Sequence, residues 1–366
     1  MEIIEDSKTD EFRIQSVVIS DDGRFIAINE TLFDIEKRTK RILNLGKNYG
    51  PRIKLTNDFV YFIRDEESIV IEEIETGVEI HKVHPSDENF VESFLVDNGL
   101  LYSLNHAPLV IRIDNISTKK TILNLDMFKI WLCPFNPLNM VITPIDKGQI
   151  FCQCDNWFFV YDYKEEKVLN QFSVQIGDEF AVLDEHVQAI NISSNKEFVA
   201  VGTITGDVHV FRILTGELVY LTNVGEGAIK AVHFDSDALH VFATSGNKFY
   251  KLNLHNKEVI CSDLIFNLNP RIIQVSGNGK FLILVGENSI HFFDIDDLQE
   301  CGTLVVSDDY ECLFVNQHTQ MFELSEKFND NVAFTWYLNR MGCSIETLQE
   351  ESKSGLFAGF LKYISE

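Results

Sequence analysis

The chain has 366 residues, 45% of them hydrophobic and 24% charged, values that exclude a wholly disordered polymer and supply material for a large core. Its 56 Asp and Glu outweigh 31 Lys and Arg, a formal net charge of −25. A field of that sign repels phosphate backbones and anionic membranes while attracting basic proteins, so neither nucleic acid nor membrane is an expected partner.

The first residues, Met1-Glu2-Ile3-Ile4-Glu5-Asp6, are acidic and lack the apolar core of a secretory signal. No stretch approaches the roughly 20 apolar residues needed to span a bilayer. Seven Cys, an odd number scattered along the chain, argue against a secreted disulfide framework. The expected compartment is the cytoplasm or the nucleus. The glycosylation sequons at Asn29, Asn115 and Asn191 then read as chance matches.

From Val17 onward the chain repeats one grammar, an apolar run, a tight turn and a second apolar run. Val17-Val18-Ile19-Ser20 leads through Asp21-Asp22-Gly23 to Phe25-Ile26-Ala27-Ile28. The run from Val91 to Val96 leads through Asp97-Asn98-Gly99 to Leu100-Leu101-Tyr102, and Ile272 to Ser276 leads through Gly277-Asn278-Gly279 to Phe281 and beyond. Asp-Gly and Asn-Gly pairs between apolar runs predict two-residue hairpins, because the turn needs positive φ. The clearest unit covers Val187 to Leu221: Val187–Ile192, Phe198–Val201, Val208–Ile213 and Glu217–Leu221, joined by Ser193-Ser194-Asn195-Lys196, Thr205-Gly206-Asp207 and Thr215-Gly216. Four strands and three short connections make one propeller blade.

Seven segments with similar endings set the period. Anchored on Phe33, Glu72, Ile113, Tyr161, Phe211, Leu252 and Phe293, they are spaced 39, 41, 48, 50, 41 and 41 residues apart. A recurrence of roughly 40 to 45 residues built from strands and turns predicts propeller blades. The widest spacings hold insertions near Pro134-Phe135-Asn136-Pro137 and from Ile176 to Glu185, loops of the kind that carry contacts.

With its hairpins and its aromatic-plus-acidic endings at Phe33-Asp34, Tyr161-Asp162 and Phe293-Asp294, the chain resembles a WD-repeat β-propeller over roughly residues 13 to 305. His186 stands where that family often has a Gly-His pair. No Trp-Asp and no Gly-His dipeptide occurs, so the repeats are degenerate. The resemblance implies an all-β, seven-bladed propeller and a role in protein–protein interaction. Ring closure has two routes: Met1-Glu2-Ile3-Ile4 completes the last blade, or Gly302-Thr303-Leu304-Val305-Val306 already does. A further hairpin, Glu311–Val315 with Gln320–Leu324, fits an extra partial blade.

After Ser325 the texture turns helical. Asp330 to Met341 and a short segment from Ser344 read as helices, with Gly342 as a stop. Leu356, Phe357, Phe360, Leu361 and Ile364 form one apolar helical stripe that must bury itself on the ring or in a partner's groove. The expected division is a propeller over 1–308 and a partly helical C-terminal extension over 309–366.

No enzyme constellation is present as a motif. Gly277-Asn278-Gly279-Lys280 lacks the upstream Gly and following hydroxyl of a phosphate loop and reads as a turn. Cys152-Gln153-Cys154 lacks the second pair of a zinc site and reads as buried thiols, and the ten His are dispersed, so no metal or cofactor is expected. The acidic clusters Asp65-Glu66-Glu67, Glu72-Glu73, Asp178-Glu179, Asp184-Glu185, Asp296-Asp297 and Asp308-Asp309 are a solvated periphery or a rim for a Lys/Arg-rich partner. The expectation is a non-enzymatic scaffold, a subunit of a multiprotein complex. Its candidate partner-binding residues are Asp178, Glu179, Asp184 and Glu185 on the insertion and Phe357, Phe360 and Leu361 on the tail. A second reading is a dedicated chaperone for a basic client such as a ribosomal protein or histone. A third is a propeller hydrolase or lyase with a metal or His-rich centre.

Overall fold

The computed structural model describes residues 13–20, 22–45, 53–64, 68–84, 90–106, 110–126, 140–146, 148–154, 156–174, 187–225, 227–263, 270, 272–276, 279–307, 310, 312–317, 321–324, 356, 357 and 360. These residues form seven antiparallel sheets following one another along the chain over 17–42, 53–83, 90–126, 140–173, 187–223, 229–263 and 272–324. The first six have four strands each in sequential order, and the seventh has six. The fold is a seven-bladed β-propeller.

All seven sequence anchors fall on the third strand of successive blades: Thr31–Asp34, Ser68–Glu73, Val110–Asn115, Trp157–Asp162, Asp207–Arg212, Lys248–Asn253 and Ser289–Asp294. Third strands lie inside their sheets and are mostly buried, so their apolar runs are the most regular feature of the repeat. The turns behave as their residues require. Gly23 has φ 70°, and Asn98 and Gly99 have 49° and 75°, the two positive values a tight hairpin needs.

Neighbouring blades bury their faces against each other. Between blades four and five, Phe158 stacks on Phe151 and Phe172 at 5.8 and 5.3 Å, and Phe172 lies 5.3 Å from Phe211. Between blades five and six the sheets approach so closely that a Cβ on Gly202 would meet Ile229 Cγ2 at 2.3 Å. Turns at one end of the blades are also tied: Asp22 donates its amide to Asn57 Oδ1, Ser194 Oγ donates to the Ser236 carbonyl, and Lys196 reaches Asp97 at 3.0 Å.

The ring closes by packing between blade seven and blade one. Ile14, Val17, Ile26 and Ile28 of the first blade share one core with Phe281, Ile283, Val285, Ile290 and Phe292 of the seventh. Gln274 donates across the seam to the Val17 carbonyl at 3.0 Å. Of the two expected routes, the second holds: Glu300–Val306 is the fourth strand of blade seven. Met1 to Ile4 lie outside the described residues. The extra hairpin is no separate blade. Cys312–Asn316 pairs with Glu300–Val306, and Met321–Leu324 pairs with Cys312–Asn316, widening blade seven to six strands. The expected division after residue 308 therefore falls inside one sheet. Residues 325–355, where the sequence predicts helices around Asp330 and Ser344, lie outside the described residues. Among the described residues helix is confined to Leu356, Phe357 and Phe360.

Candidate interaction surfaces

A propeller presents its turns on two faces and its outer strands around the perimeter. Blades one to six each end in a strand with no partner on its outer side among the described residues: Thr39–Ile42, Glu79–Val83, Lys120–Asp126, Lys167–Ser173, Leu218–Asn223 and Val259–Asp263. Each exposes at least one aliphatic side chain, Ile42, Ile80, Ile122, Val168 with Leu169, Leu218 with Leu221, and Val259 with Ile260.

Blade seven differs. Its fourth strand is almost wholly buried because the added hairpin continues the sheet and the tail lies across it. Phe360 is 6% exposed, with its ring 4.9 Å from Phe314 and 5.2 Å from Phe292, edge-on to the latter. Phe357 lies 4.8 Å from Phe314, and its amide donates to Glu323 Oε2 at 2.7 Å. Gly302 makes room, since a Cβ there would stand 3.0 Å from Phe314 and 3.1 Å from Phe360. Arg38 of blade one pairs with Glu323 at 2.7 Å, and Lys40 donates to the Tyr310 carbonyl. The described part of the apolar stripe, Leu356, Phe357 and Phe360, thus packs on the chain's own last blade. Leu361, Asp178, Glu179, Asp184 and Glu185 lie outside the described residues, so no geometry attaches to the acidic insertion.

The described acidic clusters do structural work. Glu72 is 7% exposed and bridges two cations, Arg41 at 2.8 Å and Arg64 at 3.1 Å. It belongs to the join between blades one and two, where Arg24 contacts both Asp34 and Glu75. Burial works against ionised Asp34, but hydrogen bonds from Arg24 and the Lys37 amide hold its carboxyl below the ordinary range. Glu75 is lowered by Arg24 and then Lys37. A cavity of about 90 Å³ opens here, lined by Phe25, Leu32, Asp34, Lys37, Arg41 and Glu75 among others. That is well below the roughly 300 Å³ of an ordinary small-molecule pocket. Asp296 and Asp297 sit in a turn whose amides are held by Asp294 Oδ1.

Buried polar chemistry is present but sealed. In blade seven, His291 Nε2 lies 2.9 Å from Ser289 Oγ and Nδ1 lies 2.5 Å from Glu300 Oε1, in the order of a nucleophile, base and acid. Ser289 is 6% and His291 1% exposed, so no substrate reaches the hydroxyl, and the trio satisfies its own hydrogen bonds inside the sheet. Cys152 and Cys154 are buried and form no disulfide, and burial pushes the Cys152 thiol up. Among the described residues no group of three or more His, Cys, Asp or Glu is placed to hold a metal. No helix among them is long and apolar enough to cross a membrane.

No protein-family model and no curated protein matches the sequence. Solved structures match the fold. The β-propeller domain of Cps50 (Swd1) from Myceliophteria thermophila superposes with a TM-score of 0.54 at 11% identity, over 71% of this chain and 94% of that one. KlAtg21, solved in complex with the coiled coil of AgAtg16, superposes with a TM-score of 0.61 at 10% identity, over 80% of this chain and 99% of that one. At such identities the likeness establishes architecture, and it agrees with the blade topology: the chain is a β-propeller of the kind found in these two proteins.

Proposed function

We propose that the protein is a non-enzymatic interaction scaffold, a subunit of a multiprotein complex in the cytoplasm or nucleus. The observation that carries this reading is the perimeter of the ring. Six blades end in outer strands that expose aliphatic side chains and pair with no further strand among the described residues, while the seventh is covered by the chain itself. Open strand edges and scattered apolar contacts on a rigid support suit docking of other chains. KlAtg21 was solved holding a coiled coil of another protein, which supports a comparable use of this ring. The net charge of −25 favours a second reading, an escort for one basic client, and it favours Lys/Arg-rich partners under either reading.

Affinity purification of the full chain at low and high salt, read by mass spectrometry, tests the proposal. A stable set of proteins retained at high salt supports the scaffold. A single basic protein released at high salt supports the escort, because exposed charge pairs are screened. Recovery of no stoichiometric partner at either salt overturns both.

A further inference from the structure

A strand at the edge of a sheet is a template for another strand, and folded proteins blunt such edges with bulges, with charges on the strand or by covering them. The seven outer strands of this ring can be sorted by that device. Thr39–Ile42 carries Lys40 and Arg41. Glu79–Val83 has a bulge opposite Ile71 and Glu72 and carries Glu79 and Lys82. Lys120–Asp126 and Lys167–Ser173 each have a bulge and begin with Lys. Leu218–Asn223 has no charge but is bulged against Val210 and Phe211. Glu300–Val306 is covered by a further hairpin.

Val259–Asp263 of blade six has no bulge and no covering hairpin, and its one charged residue, Asp263, is the last of the strand. It pairs with Lys248–Leu252 in unbroken register, Leu252 with Val259 through Lys248 with Asp263. Val259-Ile260-Cys261-Ser262 carries no charge. Val259 is 42% and Ile260 43% exposed, and Cys261 is exposed. The exposed Glu258 stands immediately before the strand.

We infer that this edge is a docking site for an extended partner segment that alternates aliphatic with Lys or Arg residues and adds to blade six as a fifth strand. The inference rests on the scaffold reading and names its partner chemistry. Three observations specify the occupant. Unpaired N–H and C=O groups along a regular edge are satisfied by another extended backbone. Val259 and Ile260 supply an aliphatic contact on each side of the new strand, since successive side chains point to opposite faces. The exposed carboxylate of Glu258 and the net charge of −25 select cationic side chains over a second copy of this acidic chain. The molecule carries its own precedent on the adjacent blade, where Cys312–Asn316 joins Glu300–Val306 from Gly302 with Asn316 to Val306 with Cys312, presenting Leu313, Phe314 and Val315.

The test uses the full chain and a short fluorescent peptide of alternating lysine and valine, with a glutamate–valine peptide and a proline-interrupted lysine–valine peptide as controls. Anisotropy measures affinity, and amide hydrogen exchange locates the contact. The lysine–valine peptide is expected to bind, to slow exchange within 259–263, and to outcompete both controls. The double variant Val259→Lys, Ile260→Lys, checked for an unchanged melting temperature, is expected to weaken binding by about tenfold or more, through lost cross-strand aliphatic pairs and like-charge repulsion. Absence of binding, equal binding of the glutamate peptide, or protection elsewhere on the ring overturns the inference. So does protection of 259–263 that rises with protein concentration in the absence of peptide, which marks a second copy as the occupant. Exchange on the wild-type chain decides the matter even if the double variant fails to fold. Natural partners that still co-purify with a folded double variant sink the blade-six site and leave the scaffold standing, whereas a wild-type chain without partners sinks the scaffold itself.

Discussion

Blades six and seven are neighbours built on one plan, yet their outer edges have opposite fates. In blade seven the fourth strand is buried under an added hairpin and the Phe357 and Phe360 pair, and the seam with blade one runs through the same core. In blade six the fourth strand ends at solvent with Val259, Ile260 and Cys261 outward. Four strands are enough to complete a blade. Among the described residues the last blade alone carries two more, and it is also the blade that packs against the first at the seam.

Core substitutions should separate the two blades most strongly. Phe314→Ala, at a side chain 1% exposed, is expected to cost about 3–5 kcal/mol in a urea titration, whereas Ile260→Ala on the open edge should cost under about 1 kcal/mol. Similar losses at both positions would break the contrast. Gly302→Ala should cost about 1–3 kcal/mol, because its methyl would stand 3.0 Å from Phe314 and 3.1 Å from Phe360, both buried in the core. A neutral result there would mean that the tail is easily displaced from the blade.

The ion network between blades one and two gives an effect of its own at acid pH. Asp34 is held below its ordinary value in the fold, so its contribution is complete above the unfolded value near 4 and is lost as pH falls through the lower folded value. Asp34→Asn should therefore lower stability by about 1 kcal/mol at neutral pH and converge with the native chain at low pH, followed by melting temperature against pH. A constant difference across that range would remove Asp34 from the acid response. The smallest perturbation probes the open edge directly. Cys261 should react with an alkylating reagent at least about tenfold faster than Cys152, Cys154 or Cys301, with Cys301 pushed up to about 11 chiefly by burial, read by peptide mass mapping. Protection of Cys261 in the isolated chain would mean that the edge is already covered.

The blade count was legible because a third strand is buried whatever its neighbours. Phe33, Tyr161 and Phe293 must be apolar to sit inside a sheet, so the period survives without a Trp-Asp pair. The hairpins at Asp97-Asn98-Gly99 and Asp21-Asp22-Gly23 were legible because positive φ restricts the choice of residue. The roles of the acidic pairs were not. Glu72 looks like any surface carboxylate in the sequence, and only the approach of Arg41 from another blade makes it a buried bridge. Nor does Val259-Ile260-Cys261 announce itself, because an unguarded edge is defined by the absence of a bulge, which is a property of register with Lys248–Leu252.

The sequence by itself determined the repeat, the strands and the turns, since these follow from periodicity and local backbone preference within about 40 residues. The tertiary structure decided how the ring closes, where the hairpin after Val306 attaches, that Phe360 rests on Phe292 and Phe314, and which outer edge stays bare. Those outcomes depend on contacts between segments up to hundreds of residues apart, such as Gln274 with Val17 and Arg38 with Glu323, and no local pattern encodes a partner at that distance.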